Sequence, residues 1–148
     1  MRKGFTLVEL LIVIVIIGIL AAAMLLSSGS ATASATASTI VSDLRSLKTA
    51  ALMHWADSMD TYTTEPSAKP TLSLIKVYMD NPEKITTQNF GISVAGDKKW
   101  WVYAKVGEQT PEVREKLKGK AKTTGLMVSM NLTAGEYAGG SNAYLVAR

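Results

Sequence analysis

An uninterrupted apolar run near the N-terminus constrains this chain more than any other feature. From Leu10 to Leu26 there are 17 consecutive residues without a charged or strongly polar side chain. Together with residues 5–9 the segment is long enough, at about 1.5 Å per residue, to cross a hydrocarbon layer of about 30 Å. The rest of the 148 residues has the composition of an ordinary soluble domain, and this length suits one domain plus an anchor. The sequence therefore predicts one membrane helix followed by one water-facing domain.

Glu9 is the one charge inside this segment, and the segment has more than one interpretation. Basic Arg2 and Lys3 before it and small Ala21–Ala23 within it are typical of a secretory signal peptide. Glu9 and the continuation of the apolar run to Leu26 argue against cleavage at the alanines. A retained signal anchor explains the length but leaves Glu9 unexplained, since a carboxylate in a membrane helix costs about 3 kcal/mol on insertion scales.

The residues around Glu9 also form a recognisable motif. The stretch from Lys3 to Leu11, KGFTLVELL, resembles the processing site of the type IV pilin family, which includes the pseudopilins of type II secretion systems. The resemblance implies that a prepilin peptidase cleaves after Gly4 and that the new N-terminal residue, Phe5, is N-methylated. It further implies that the apolar segment stays in the mature protein as the first half of a long helix. The resemblance covers about residues 1–60 well and the remainder only as a general plan.

This resemblance gives Glu9 a role in assembly. Cleavage after Gly4 would create an amine on Phe5 at a matching depth in the membrane. A pair of charges about 4 Å apart at intermediate dielectric gains on the order of 4 kcal/mol before desolvation is subtracted. If a neighbouring subunit presents its Phe5 amine to Glu9, only the correct axial register leaves neither charge unpaired.

The stretch after the apolar run, Ser27 to Ser38, is rich in serine, threonine and alanine. This composition is compatible with a flexible linker, but alanine is the best helix former and no proline interrupts the stretch. The sequence favours a continuous but soft helix. Gly18 and Gly29 are the candidate softening positions, although a glycine in a membrane helix is equally explained by close packing.

Residues 39–59 restore a strong helical pattern. Apolar residues recur at spacings of three and four, which predicts one buried stripe along the helix; they are Ile40, Leu44, Leu47, Ala51 and Trp55. The combined helix would have about 55 residues and a length of about 80 Å. His54 lies beside the stripe without visible partners for chemistry, which favours a structural role.

A connecting region, residues 60–89, precedes the predicted sheet. Within it Thr71–Met79 is compatible with a short helix or a strand, and the region 90–148 carries strand signals. The predicted strands are Phe90–Val94, Trp100–Val106, Leu126–Leu132 and Ala143–Ala147, with a hairpin turn at Gly96-Asp97 and a helix at 111–118 that Gly119 ends. Adjacent residues of a strand face opposite ways, so one of Trp100 and Trp101 is predicted in the core and the other exposed or at a subunit contact.

These patterns predict an α+β fold, in which a long N-terminal helix packs on a small antiparallel sheet. This is also the plan that the pilin resemblance implies. The expected organisation is a leader at residues 1–4, a membrane or filament-core helix at 5–26, its continuation at 27–59, the connecting region at 60–89 and the head at 90–148.

No enzyme signature is present, so the chain is not expected to be an enzyme or to need a cofactor or metal. With one histidine and no cysteine, most nucleophilic and zinc chemistry is excluded. The only basic concentration comprises Arg114, Lys116, Lys118, Lys120 and Lys122. Because Glu112 and Glu115 lie among these residues, a solvated helix face is favoured over a nucleic-acid-binding surface.

The resemblance implies a structural subunit of a type IV pilus-like filament, serving adhesion, motility or DNA uptake. Its expected partners are copies of itself, prepilin peptidase, a membrane assembly platform, minor pilins and, before assembly, membrane lipid. The expected location is the cytoplasmic membrane as a single-pass protein, and then an extracellular pilus or a periplasmic pseudopilus. Two alternatives stay open: a pseudopilin of a type II secretion system, and a monomeric membrane-tethered binding module.

Overall fold

The computed structural model describes residues 4–64, 70–95, 98–131 and 134–147. A long helix carries a small three-stranded antiparallel sheet and a second helix, which confirms the predicted α+β class. In chain order the elements are α1 (Leu7–Asp57), α2 (Met59–Thr64), α3 (Leu72–Lys76), a 3-10 helix (Pro82–Lys84), β1 (Phe90–Val94), β2 (Trp100–Lys105), α4 (Pro111–Thr124) and β3 (Asn142–Val146).

Helix α1 is continuous over 51 residues, two residues shorter at its C-terminal end than predicted. In the serine- and threonine-rich stretch, which remains helical, hydroxyls donate hydrogen bonds to carbonyls four residues earlier. These bonds run from Thr32 to Ser28 (3.0 Å), from Ser38 to Ser34 (2.9 Å) and from Thr39 to Ala35 (3.1 Å). The polar side chains are thereby satisfied within the helix, and the sequence can pass from lipid-like to water-facing composition without a break.

The same stretch contributes to the core. Ala33 and Ala37, four residues apart on one face, are buried, whereas Ala31 and Ala35 are exposed. Ala33 shares a groove with Val113 of α4, so the small side chains allow α4 to lie close to α1. The head therefore begins to pack on the helix near residue 33, before the apolar stripe that the sequence pattern identified at residue 40.

The sheet has the order β1-β2-β3, with β2 in the middle. Val102 pairs with Ile92 on one side and with Leu145 on the other. The core forms where the apolar stripe of α1 meets this sheet and α4. Its buried members include Leu44 and Leu47 of α1, Val102 and Ala104 of β2, and Leu117 and Ala121 of α4. The stripe predicted from helical spacing thus packs on a sheet, as expected.

The prediction that one of the two tryptophans is exposed or at a subunit contact is wrong, because both are buried within the chain. Trp100 is 3% exposed and Trp101 is fully buried. Trp100 points to the α1 side, where its ring lies edge-on against Tyr62 at 4.8 Å. Trp101 lies on the other face of β2, between Ser93 and Val146 of the flanking strands. Alternation places the two side chains on opposite faces of the sheet, but it does not determine whether each face is open to solvent.

The predicted helix end at Gly119 is also wrong, because α4 continues to Thr124. The residue that ends the helix is Gly125, which adopts the left-handed conformation (φ 73°) and donates its N–H to the Ala121 carbonyl at 2.8 Å. A glycine that ends a helix needs this positive φ. Gly119 lies within the helix, where the burial of Ala121 two residues later offsets the lower helix propensity of glycine.

Among the described residues of the predicted strand Leu126–Leu132, only Met127 forms β-bridges, one to Tyr144 and one to Glu136. Met127 exchanges two backbone hydrogen bonds with Tyr144 of β3, at 2.8 and 3.0 Å. Val128 then bonds to the Gly135 carbonyl and its side chain is exposed, so the chain turns back after one paired residue. The predicted turn Gly96-Asp97 and residues 132–133 lie outside the described residues.

The connecting region is more helical than predicted. Of the two alternatives for Thr71–Met79, the helix is correct, as α3, and it buries Leu72 and Ile75. Helix α2 follows α1 directly and places Tyr62 against the core. The predicted strands at 90, 100 and 143 are all present within two residues of their predicted ends.

Candidate assembly site

Glu9 lies in the first turn of α1 and is part of its N-terminal cap. Its carboxylate oxygen Oε2 accepts hydrogen bonds from the Thr6 amide at 2.8 Å and from the Thr6 hydroxyl at 2.7 Å. The Thr6 hydroxyl in turn accepts from the Glu9 amide at 3.3 Å. This reciprocal arrangement is a capping box, which satisfies amides that a helix start leaves without partners.

The capping box leaves half of the carboxylate available. Within the described part of the chain, all hydrogen bonds of the Glu9 side chain go to Thr6 through Oε2. Oε1 therefore retains its acceptor capacity for a further donor. Thr6 and Glu9 both follow the predicted cleavage point after Gly4, so the cap does not depend on the leader.

Phe5 lies immediately before the cap, with 85% of its surface exposed. No hydrogen bond or ion pair joins Phe5 to Glu9 in this single chain as far as it is described. The predicted pairing of the Phe5 amine with Glu9 requires a second copy and stays a prediction. Gly4 is described and exposed, whereas residues 1–3 of the predicted leader lie outside the described residues.

The apolar helix beyond Glu9 has no partner within the chain. Every described residue from Phe5 to Leu25 is exposed, including the large aliphatic side chains. By length and composition, α1 is the one described helix suited to crossing a membrane. An apolar surface of this size requires lipid or other protein to cover it.

Gly18 and Gly29 both lie within α1, and neither is needed for packing inside the chain. A Cβ added at either position would meet no atom within 4 Å. The intrachain structure therefore offers no steric reason for glycine at these positions, and their proposed softening role stays a prediction. Gly29 lies in the groove between α1 and the start of α4.

His54 is buried within an aromatic cluster at the C-terminal end of α1. Its Nε2 is 2.9 Å from the Tyr62 hydroxyl, and the rings of Tyr78 and Trp100 lie within 6.3 Å. This arrangement fits the structural role inferred from the sequence. Around it, burial raises the pKa of Tyr62, and a hydrogen bond to Asp57 raises the pKa of Tyr78.

The basic residues of α4 do not form one exposed patch, because they differ in burial and in the side chains near them. Lys118 pairs with Glu115 at 3.3 Å, and Arg114 is half-buried. Lys116 and Lys122 are exposed, while Lys120 lies beside Arg45 of α1. Among the described residues no group of three or more His, Asp or Glu side chains is arranged to hold a metal ion.

Sequence reasoning missed one residue of this site, Thr6. The signal was readable, because a threonine followed three residues later by a glutamate and then by an apolar run is the pattern of a capping box. The family motif identifies Glu9 as a charge and carries no information on its hydrogen bonding to Thr6.

The comparisons with known proteins bear on the N-terminal segment alone. Residues 1–25 match the family described as the prokaryotic N-terminal methylation motif. No curated protein and no solved structure shows significant similarity to the chain. The matched segment contains Gly4, Phe5, Thr6 and Glu9, the residues around the α1 cap. Residues 1–25 thus carry a prokaryotic N-terminal methylation motif, the type of leader with which type IV pilins and pseudopilins begin.

Proposed function

We propose that the chain is a structural subunit of a type IV pilus-like filament, assembled from the membrane after cleavage behind Gly4 and N-methylation of Phe5. The observation that carries this proposal is the wholly exposed apolar half of α1. The same helix continues without a break into the head, where its second half is well packed. A flexible tether would suffice for a membrane-anchored binding module. A continuous 51-residue helix instead holds the head at a set distance from the apolar segment.

The assembly chemistry follows from the N-terminal cap. In a membrane-inserted monomer, the capping box supplies Glu9 with two hydrogen bonds from its own chain. In the filament, the Phe5 amine of a neighbouring copy approaches Oε1 and completes the pairing. Apolar helices then cover one another in the filament core, the heads face outward, and the filament serves adhesion, motility or DNA uptake at the cell surface.

N-terminal mass spectrometry of the mature protein, combined with analysis of filaments sheared from cells, tests this function. The expected result is a chain that begins with methylated Phe5 and is the repeated subunit of the filaments. A chain that begins at Met1, or after Ala23, would contradict the processing. Correct processing without sheared filaments, but with short periplasmic assemblies, would instead identify a pseudopilin of a secretion system.

A further inference from the structure

A groove of about 260 Å³ lies where the C-terminal end of α4 meets α1. It contains two cationic side chains, Arg45 of α1 and Lys120 of α4, and no carboxylate among the residues that line it. Hydroxyl side chains complete the polar lining: Ser38, Ser42, Thr123 and Thr124. Within the described part of the chain neither cation has a salt-bridge partner. Two like charges in one groove favour the approach of an anionic group.

An acidic turn lies on the neighbouring flank of α1. Asp80, Asn81 and Glu83 are exposed around the start of the 3-10 helix. The segment 80–83 carries two negative charges and no positive charge. Ser42 lines both the cationic groove and the cleft of about 450 Å³ beside Asp80, so the two surfaces flank the same stretch of α1.

Lys84 directly follows this turn in the sequence and lines the cleft that Asp80 also lines. Lys84 and Asp43 line the same cleft. Burial raises the pKa of the Asp43 carboxyl, and the positive charge of Lys84 opposes that rise. Asp80 and Glu83 make no salt bridge with the described residues of their own chain. Their charges therefore remain available to a partner.

We propose that the acidic turn Asp80–Glu83 of one copy docks against Arg45 and Lys120 of the next copy in the filament. This contact rests on the proposed function, because it joins heads that the apolar helices have already brought side by side. It matches two negative charges with two positive charges. The contact fixes the rotation of each head relative to its neighbour.

A helical filament requires a contact of this type. The turn and the groove are different surfaces of the same subunit, so each copy offers one to the copy before it and the other to the copy after it. Such heterologous contacts propagate without closing when the rotation between copies does not close a ring. The charge pairs therefore contribute to selecting the order of heads, while the apolar helices supply the larger buried area.

Charge reversal with compensation tests the contact. Two double variants reverse one side of the contact each: Arg45→Glu with Lys120→Glu, and Asp80→Lys with Glu83→Lys. Each is expected to lower the yield of sheared filaments by more than about tenfold, because like charges then face one another. Combining all four substitutions is expected to restore most of the yield. The matched controls are Lys122→Glu on α4 and Glu108→Lys, which lie outside the groove and the turn and should leave the yield unchanged.

The outcomes separate this contact from the proposed function. If wild-type chains form filaments and the reversals have no effect, or if the fourfold variant is not restored, the contact is wrong while the filament function stands. If wild-type chains form no filament of any length, the proposed function fails and the contact fails with it. Circular dichroism of each variant shows whether a loss of yield reflects misfolding, and restoration in the fourfold variant contradicts misfolding directly.

Disulfide trapping gives an independent readout. The chain has no native cysteine, so the paired substitution Asp80→Cys with Lys120→Cys introduces the only two thiols. Oxidation of sheared filaments is expected to produce a ladder of covalent multimers, since each copy links to the next. The pair Asp80→Cys with Lys122→Cys is the control. An equal ladder from both pairs, or none from Asp80→Cys with Lys120→Cys, would overturn the assignment.

Discussion

Glu9 shows how one residue can serve the start of a helix and an interface between copies. Its Oε2 accepts both bonds from Thr6, which organises the first turn of α1 before any neighbour arrives. This bonding holds the carboxylate in one orientation, so the second oxygen is presented in a defined direction. The cap therefore lowers the entropy that the proposed pairing with the Phe5 amine must overcome.

Substitutions at Thr6 and Glu9 separate these two roles. Glu9→Gln keeps the size and much of the capping capacity but removes the charge, so we expect membrane insertion to persist and filament yield to fall by more than about tenfold. Thr6→Ala removes the capping hydroxyl and keeps the charge, so filaments should still form, with a helix start weakened by about 1 kcal/mol. Membrane fractionation measures the insertion of each variant, and filament shearing measures its filament yield. Equal loss in the two variants would show that the cap, and not the charge, controls assembly.

Asp43 makes the stability of the head dependent on pH. Burial raises its pKa above the ordinary value of 3.8, so the folded head binds this proton more tightly than the unfolded chain does. The contribution of Asp43 to the free energy of unfolding is therefore most favourable below about pH 4. It declines as the pH rises from that ordinary value through the raised one.

The substitution Asp43→Asn should consequently stabilise the head at pH 7 and give no such gain near pH 3. Urea unfolding of the full chain in detergent micelles at the two pH values measures the difference. Asp80→Asn is the control, because it removes the same charge from an exposed position. A destabilised Asp43→Asn at pH 7 would mean that attraction to Lys84 outweighs the cost of burial.

At the scale of elements, α4 has one glycine within the helix and one that caps its end, and the two have opposite effects on stability. Gly119 lies in the interior with open space around its Cα, whereas Gly125 ends the helix in the left-handed conformation. The position of a glycine in the sequence does not reveal which φ it adopts. That depends on where the buried face of the helix stops, and here the last buried residue is Ala121.

Alanine substitution should therefore change stability in opposite directions. Gly119→Ala is expected to raise the free energy of unfolding by about 0.5–1 kcal/mol, because glycine is a poor helix former. Gly125→Ala is expected to lower it by about 1–2 kcal/mol, because a Cβ is unfavourable at this φ. At Gly125 an added Cβ would make only an ordinary contact, 3.8 Å from Leu145, so the loss would be conformational. Urea unfolding measures the free energy of unfolding of both variants. A lower value for Gly119→Ala would contradict the placement of Gly119 in an open position of the helix interior.

At the scale of the whole molecule, the head is attached through small residues. Ala33 and Ala37 lie buried at the part of α1 that α4 approaches. Their size sets the separation between the long helix and the head. Because α1 is continuous from the apolar half into this contact, the position of the head follows the position of the helix.

Enlarging this contact should destabilise the head. Ala37→Leu is expected to lower the free energy of unfolding by about 1–3 kcal/mol through overpacking, and to reduce filament yield because the heads no longer lie in register. Ala35→Leu, on the exposed face two residues away, should change stability by less than about 0.5 kcal/mol. Unfolding in micelles and filament shearing measure both effects. Equal effects of the two variants would exclude the buried contact as the cause.

Much of the fold was readable where a single physical pattern dominates. The helical apolar run, the buried stripe that contains Leu44 and Leu47, and the strand Phe90–Val94 were each predicted from such a pattern, and each is present in the structure. The errors arose where neighbours decide the outcome. The exposure of Trp101, the end of α4 and the fate of Leu126–Leu132 all depend on which elements lie against them.

The sequence alone determined the long apolar helix, the methylation motif with Glu9 at its centre, and the α+β plan, because these depend on local composition and spacing. Only the tertiary structure decided that Ala33 and Ala37 belong to the core, that both tryptophans are buried, and that Arg45 and Lys120 share one groove. Residues far apart in the chain have no common pattern in sequence. Their proximity follows from the packing of α4 against α1, which assembles surfaces that neither helix carries alone.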